Sequence, residues 1–183
     1  INLMLTKIKI ASWNIAGGRR IKSLDLFDYG PEDTNYFSKE LQKIDPDIIC
    51  IQEDHISGEK SIAKNIAHQI GLKYICKVSM SPSHIDKNCL LGMAILSKFP
   101  FENYKSVRLP YPKFKLLWKN GQVADIYYKY LQTITVEGVC IANFFAIPIQ
   151  FWGFDYDHSE GKKYAWEIQK VLLKLKKPLI MCG

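Results

Sequence analysis

Arginine is scarce in this chain. Among 183 residues there are 25 basic side chains, and only Arg19, Arg20 and Arg108 are arginine. The rest are lysine, and abundant lysine, isoleucine and asparagine can reflect genome base composition instead of a partner. The formal net charge of +7 therefore permits nucleic acid or another phosphorylated partner without requiring one. No run of five like charges occurs, which excludes a basic tail. No apolar stretch reaches the ~18 residues of a membrane helix, so no transmembrane segment is expected. The five cysteines (Cys50, Cys76, Cys89, Cys140, Cys182) are scattered and contain no Cys-x-x-Cys pair. That argues against a zinc site or a disulfide scaffold and for a reducing, cytoplasmic setting. Repeats, low-complexity segments and linkers are also absent. With 48% hydrophobic and 23% charged residues, the chain can bury a core of its own and is not disordered.

What is present is an alternation of strand and helix periods. Residues 7–14 alternate polar and apolar, as a strand with one buried face does. Residues 15–33, with Gly17-Gly18 and Gly30-Pro31, read as a loop. A short helix is predicted over 35–44, with Phe37, Leu41 and Ile44 on one face and Asp45-Pro46-Asp47 as its stop. The apolar run 48–51 fits a strand buried on both faces. A clearer helix spans 62–70 and stops at Gly71. Strands are predicted at 74–79 and 90–96, separated by a polar loop at 80–89. Two more, near 126–136 and 138–147, are joined by Glu137-Gly138 as a hairpin. A long helix covers 161–175, and a final strand covers 179–182. Mixed elements with a hairpin predict two sheets sandwiched between helices.

Polar residues at the ends of buried strands are the first candidates for chemistry, because a strand delivers a side chain rigidly to the edge of a core. Glu53 follows four apolar residues and Gln52, so its carboxylate emerges from a buried strand and needs a cation or a proton. Asn14 ends the first strand, where its amide either supports a metal shell or phosphate or caps the turn into Ala16-Gly17-Gly18. Arg19 and Arg20 follow that glycine turn and are candidate phosphate ligands; a solvated basic loop is the plainer alternative. The aromatic segment Phe144, Phe145, Phe151, Trp152, Phe154, Tyr156 suits base stacking, a lipid surface or plain core packing. His55 reads as a loop residue.

Five ordered pieces carry a family resemblance: SWNIAGG (12–18), DIICIQE (47–53), LGMAILSKFP (91–100), VCIANFFAIP (139–148) and KKPLIMCG (176–183). Together they resemble the endonuclease/exonuclease/phosphatase superfamily. It includes deoxyribonuclease, abasic-site endonucleases, inositol-polyphosphate 5-phosphatases and bacterial sphingomyelinases. The resemblance implies an α/β four-layer αββα sandwich of two mixed β-sheets flanked by helices. It reads residues 1–183 as the N-terminal portion of one such domain, incomplete at the C-terminus, because Gly183 matches the glycine that should immediately precede the family's Asp-x-Asn motif. It implies Asn14, Glu53 and Asn143 as catalytic residues, with Glu53 and Asn14 toward Mg²⁺ (or Mn²⁺).

One departure bears on activity. Phe145 stands where many members carry histidine, and a phenyl ring has no proton to give. His158, 13 residues on, is the one nearby imidazole that could reach inward. The leading expectation is a metal-dependent phosphodiesterase acting on nucleic acid. The alternatives are a phosphoinositide phosphatase or sphingomyelinase-like enzyme acting on phosphorylated lipid or a small molecule, and a catalytically impaired binding module. Oligomeric state is left open.

Overall fold

A strand that is apolar on both faces must lie between two packed layers. The computed structural model, which describes residues 7–23, 28–117, 121–124 and 126–183, puts β4 (Ile48–Ser57) in that position. Ile49 and Ile51 pack against Phe37 and Leu41 of α1 (Thr34–Ile44) and Ile66 of α2 (Ile62–Ile70). Ile48 and Cys50 face the other way, onto Ile134, Val136 and Ile141 of a second sheet. Each large aliphatic chain so buried stabilises the fold by about 1.5–3 kcal/mol.

The first sheet has the order β1 (Ile10–Asn14), β4, β7 (Leu90–Ser97), β6 (Tyr74–Pro82), and the two-residue β5 (Lys60–Ser61) pairs with the end of β4. β1 runs parallel to β4 and the other pairs are antiparallel. The second sheet has the order β11 (Leu179–Cys182), β10 (Val139–Phe144), β9 (Tyr130–Val136), β8 (Glu102–Arg108), with only β11 parallel to its neighbour. α3 (Ser159–Leu172) closes the outer face of this sheet through Tyr164, Ile168, Val171 and Leu172. Helices, sheet, sheet and helix make the expected four layers.

Local signals explain most element ends. Asp33 accepts the Tyr36 N–H at 3.0 Å to start α1, and Asp45 takes a left-handed conformation before Pro46 to end it. Glu137 and Gly138 both have positive φ (48° and 78°), as the tight turn between β9 and β10 requires.

Several expectations differ from the structure. The stretch 15–33 is not all loop: it holds a 3₁₀ turn at Ala16–Gly18 and a ribbon of β2 (Arg19–Ile21) with β3 (Tyr29–Glu32). Residues 24–27 lie outside the described set. These strands pair only with each other, so they show no core-facing period. The sequence carries no signal for β8, because every one of its residues is exposed and an edge strand with no buried face leaves no alternation. β6 continues through Pro82, into the stretch read as loop. Ile44 is 47% exposed instead of facing the core. α3 begins two residues early, at Ser159, and ends at Leu172, although Leu175 still packs on the sheet.

Candidate active site

The site begins with a fault in the ladder. β4 and β7 pair in register from Ile48–Ser97 to Gln52–Met93, and then Asp54, not Glu53, faces Gly92. Glu53 is the extra residue of a bulge, with φ +56°. A bulged residue is released from the ladder and re-aimed, and bulges recur beside active sites for that reason. A left-handed glutamate costs about 1–2 kcal/mol relative to ordinary strand geometry. β6 skips one residue, Met80, opposite the same Gly92. A side chain at Gly92 would run into Ile56 and the Val78 carbonyl.

The bulge also reverses which way β4 faces. Asp54 turns toward α2, where the Ser61 hydroxyl donates to Oδ2 at 2.7 Å and the Ala63 N–H donates to Oδ1 at 2.9 Å. Burial raises its carboxyl to about 6, against those hydrogen bonds. Its work is to anchor the start of the helix. His55, read from the sequence as a loop residue, is instead a buried strand residue, with Nε2 2.8 Å from Ser83 Oγ. Burial, and then Arg19, hold its imidazole below the usual range. Gly17 (φ +64°) lies against that ring, and a Cβ at this position would strike it.

Asn14, at the end of β1, pairs with Gln52 in the parallel register. Its Oδ1 accepts the Ala16 N–H at 3.0 Å, so it caps the glycine turn as the sequence allowed. One lone pair and its own N–H groups remain available. Asn143, at the same level on the second sheet, is fully buried. It accepts from Gln52 Nε2 at 2.7 Å and donates to Ile51 O at 2.9 Å, Ala94 O at 3.1 Å and Gln132 Oε1 at 3.2 Å. Its amide is committed to bridging the two sheets beneath the site.

Three residues not singled out in the sequence stand in electrostatic reach of the Glu53 carboxylate. Burial raises the Tyr29 hydroxyl, and Glu53 raises it further. Burial lowers the His84 imidazole and the Lys129 amine, and Glu53 opposes both shifts. Tyr29 Oη and His84 Nε2 are 3.5 Å apart. Tyr29 comes from the ribbon, His84 from the loop after β6, and Lys129 from the turn into β9. No periodicity marks such positions; their only signal is a polar or aromatic residue in a connection or on the ribbon.

Beside Asn14 opens a groove of about 630 Å³ whose walls include Trp13, Arg19, Arg20, Lys22 and Tyr36. Arg19 Nη1 donates to Gly30 O at 3.2 Å, and Nη2 lies 3.6 Å from an Asp86 carboxylate oxygen. The Arg20 guanidinium lies 4.9 Å from the centroid of the Tyr36 ring. Asn14, Arg19 and Arg20 thus share one groove, while Glu53 stands outside its walls on the strand next to Asn14. His158 stays at the surface at the start of α3, 3.7 Å from Asp155 and 3.3 Å from Asp157. Those three side chains are close enough to share a cation but are all exposed and already pair with one another.

Glu53 and Asn14 offer hard oxygen donors only. A single carboxylate with one amide fits a cation such as Mg²⁺, which keeps most of its shell for water and substrate. Residues 11–183 match the model of the Endonuclease/Exonuclease/phosphatase family. The chain belongs to that family. The family includes nucleases and phosphatases, its members hydrolyse phosphoester bonds, and they generally use divalent metal ions.

Solved structures share the fold. An endonuclease/exonuclease/phosphatase from Beutenbergia cavernae aligns with TM-score 0.63 at 14% identity, covering 95% of this chain and 46% of its own. An AP endonuclease from Archaeoglobus fulgidus aligns with TM-score 0.52 at 17% identity, covering 97% and 56%. D. rerio TDP2 complexed with a single-strand DNA product aligns with TM-score 0.50 at 13% identity, covering 96% and 58%. The chain spans about half the length of the structures it resembles. No curated protein matches the chain significantly. Among the described residues no helix is long and apolar enough to cross a membrane.

Proposed function

We propose that this chain carries the first half of a Mg²⁺-dependent phosphodiesterase site acting on nucleic acid. The observation that carries the reading is the bulged Glu53 on the strand next to Asn14, where Asn14 opens onto a groove walled by arginine, lysine and aromatic rings. In this reading Glu53 and Asn14 hold the metal, with Mn²⁺ as an alternative ion. Bound there, the ion supplies charge neutralisation at the phosphoryl and leaving oxygens. Arg19 and Arg20 hold the flanking phosphates, and Trp13 and Tyr36 offer faces for a base. Asn143 acts at one remove: it fixes Gln52, and so the strand end from which Glu53 projects. The AP endonuclease and the DNA-bound TDP2 among the structural relatives support nucleic acid as the substrate class.

A phosphorylated lipid is the less favoured substrate. Phe144, Trp152, Phe154 and Tyr156 pack on the Ile147–Tyr164 cluster instead of standing out as a lipid-facing hairpin. The deciding experiment is hydrolysis by the full-length protein of single-stranded DNA, abasic duplex DNA, RNA, phosphoinositides and sphingomyelin, with Mg²⁺, Mn²⁺ or EDTA. Metal-dependent cleavage of a nucleic acid is expected. Cleavage of lipid alone, or none on any substrate, overturns the reading.

A further inference from the structure

Among the described residues, no carboxylate stands in ion-pair contact with the half-buried Lys129. Its backbone is held from two sides: the Leu109 N–H donates to its carbonyl at 2.8 Å, and the next residue's carbonyl accepts the Phe145 N–H at 3.1 Å. This clamp sets the lysine stem along the first residue after β10. Nζ lies 4.2 Å from the centroid of the Phe145 ring. Among the described residues no carboxylate oxygen lies within 4.0 Å of it and it donates no hydrogen bond. Glu53 is the anion that acts on it, at longer range.

An ammonium drawn out of water is costly unless an anion meets it. A ring face returns only about 1–2 kcal/mol of that cost. Among the described residues the ammonium therefore rests on the Phe145 face with no close anion, while Glu53 acts on it at longer range. Phe145 is also the position where the family resemblance expects a histidine. A neutral ring there is no longer a defect if it serves as the floor for a cation delivered from β9's leading turn.

We propose that Lys129, laid on Phe145, binds the phosphoryl oxygens of the substrate in place of the histidine that position 145 lacks. The proposal rests on the phosphodiesterase reading above and extends it to a second cationic contact. Lysine suits the task as a compact charge that can follow the phosphate as its oxygens gain charge.

The test uses the full-length protein and two readouts. The first is Mg²⁺-dependent hydrolysis of bis(p-nitrophenyl) phosphate, which has no base or lipid to recognise. Lys129→Met keeps the stem on the ring and removes the charge, and it should lower kcat/KM by about 100-fold. Lys129→Arg should retain most of the activity, and Phe145→Ala should fall between the two. The second readout is the metal-free thermal shift produced by inorganic phosphate against chloride at equal ionic strength. The wild type should gain stability that Lys129→Met does not. Wild-type hydrolysis and an unchanged phosphate shift in Lys129→Met would overturn the proposal. If the wild type cleaves nothing yet shows a Lys129-dependent phosphate shift, the phosphodiesterase reading fails while the phosphate contact stands.

Discussion

The two halves of β4 differ in what burial demands of them. Ile48–Ile51 are apolar on both faces, and volume alone decides their neighbours: helices on one side, the second sheet on the other. Gln52–His55 are almost as buried but polar, and each buried group must find a named partner. Gln52 takes Asn143, Asp54 takes Ser61 and Ala63, and His55 takes Ser83. Glu53 alone is pushed out of the ladder, onto a backbone conformation that glutamate resists. The comparison teaches that the polar half is built to free one carboxylate while satisfying its neighbours. Fold and reactivity share a strand, and the bulge divides them.

That division can be broken from the reactive side first. Glu53→Gln should lower metal-dependent hydrolysis by about 10³-fold, on the order of 4 kcal/mol. Glu53→Gly should be as inactive but about 1 kcal/mol more stable, since glycine accepts φ +56° freely. Kinetics beside chemical denaturation would separate the two, and a less stable glycine variant would mean that the carboxylate helps to hold the fold. Asn143→Leu comes next. It removes one buried hydrogen bond each from Gln52, Gln132 and the Ile51 and Ala94 carbonyls, and urea titration should show a loss of about 4 kcal/mol.

Asp54 gives a smaller, pH-dependent effect. Its carboxyl sits at about 6 in the folded chain against 3.8 ordinarily, so the folded state binds more protons between those values. Its contribution is fully present below about 4 and is lost as pH rises through about 6, amounting to about 3 kcal/mol. Asp54→Asn should flatten that part of the stability profile measured in EDTA; an unchanged slope would assign it to other groups. Arg20→Ala should have the smallest effect. Single-stranded DNA binding should weaken by under about 1 kcal/mol, with the salt slope reduced by about 1. An unaltered slope would remove Arg20 from the phosphate contacts.

Much of the layer order was legible because it depends on periodicity. The run 48–51, the helix 62–70 and the Glu137-Gly138 turn each carry a local signal that packing then respects. β8 and the β2–β3 ribbon were not legible, because exposed edge strands bury no face. At the site, Glu53 was visible as a carboxylate after an apolar run, and Asn14 as a residue before a glycine turn. Tyr29, His84 and Lys129 were not, because a ribbon strand and two connections that are distant in sequence supply them. The bulge also escaped, since nothing between Gln52 and Asp54 announces a skipped residue. That is why His55 reads from the sequence as a loop residue.

Gly92 links these observations. The strands on either side of it each slip by one tooth at the same notch, Glu53 to one side and Met80 to the other. A single added carbon there would strike the Ile56 side chain and the Val78 carbonyl, so the strands that flank the bulge would have to shift and carry the carboxylate with them. The address of the reactive group is thus written in a side chain that does not exist. Position 92 would register in an activity screen as though it were chemical, although it has no chemistry of its own.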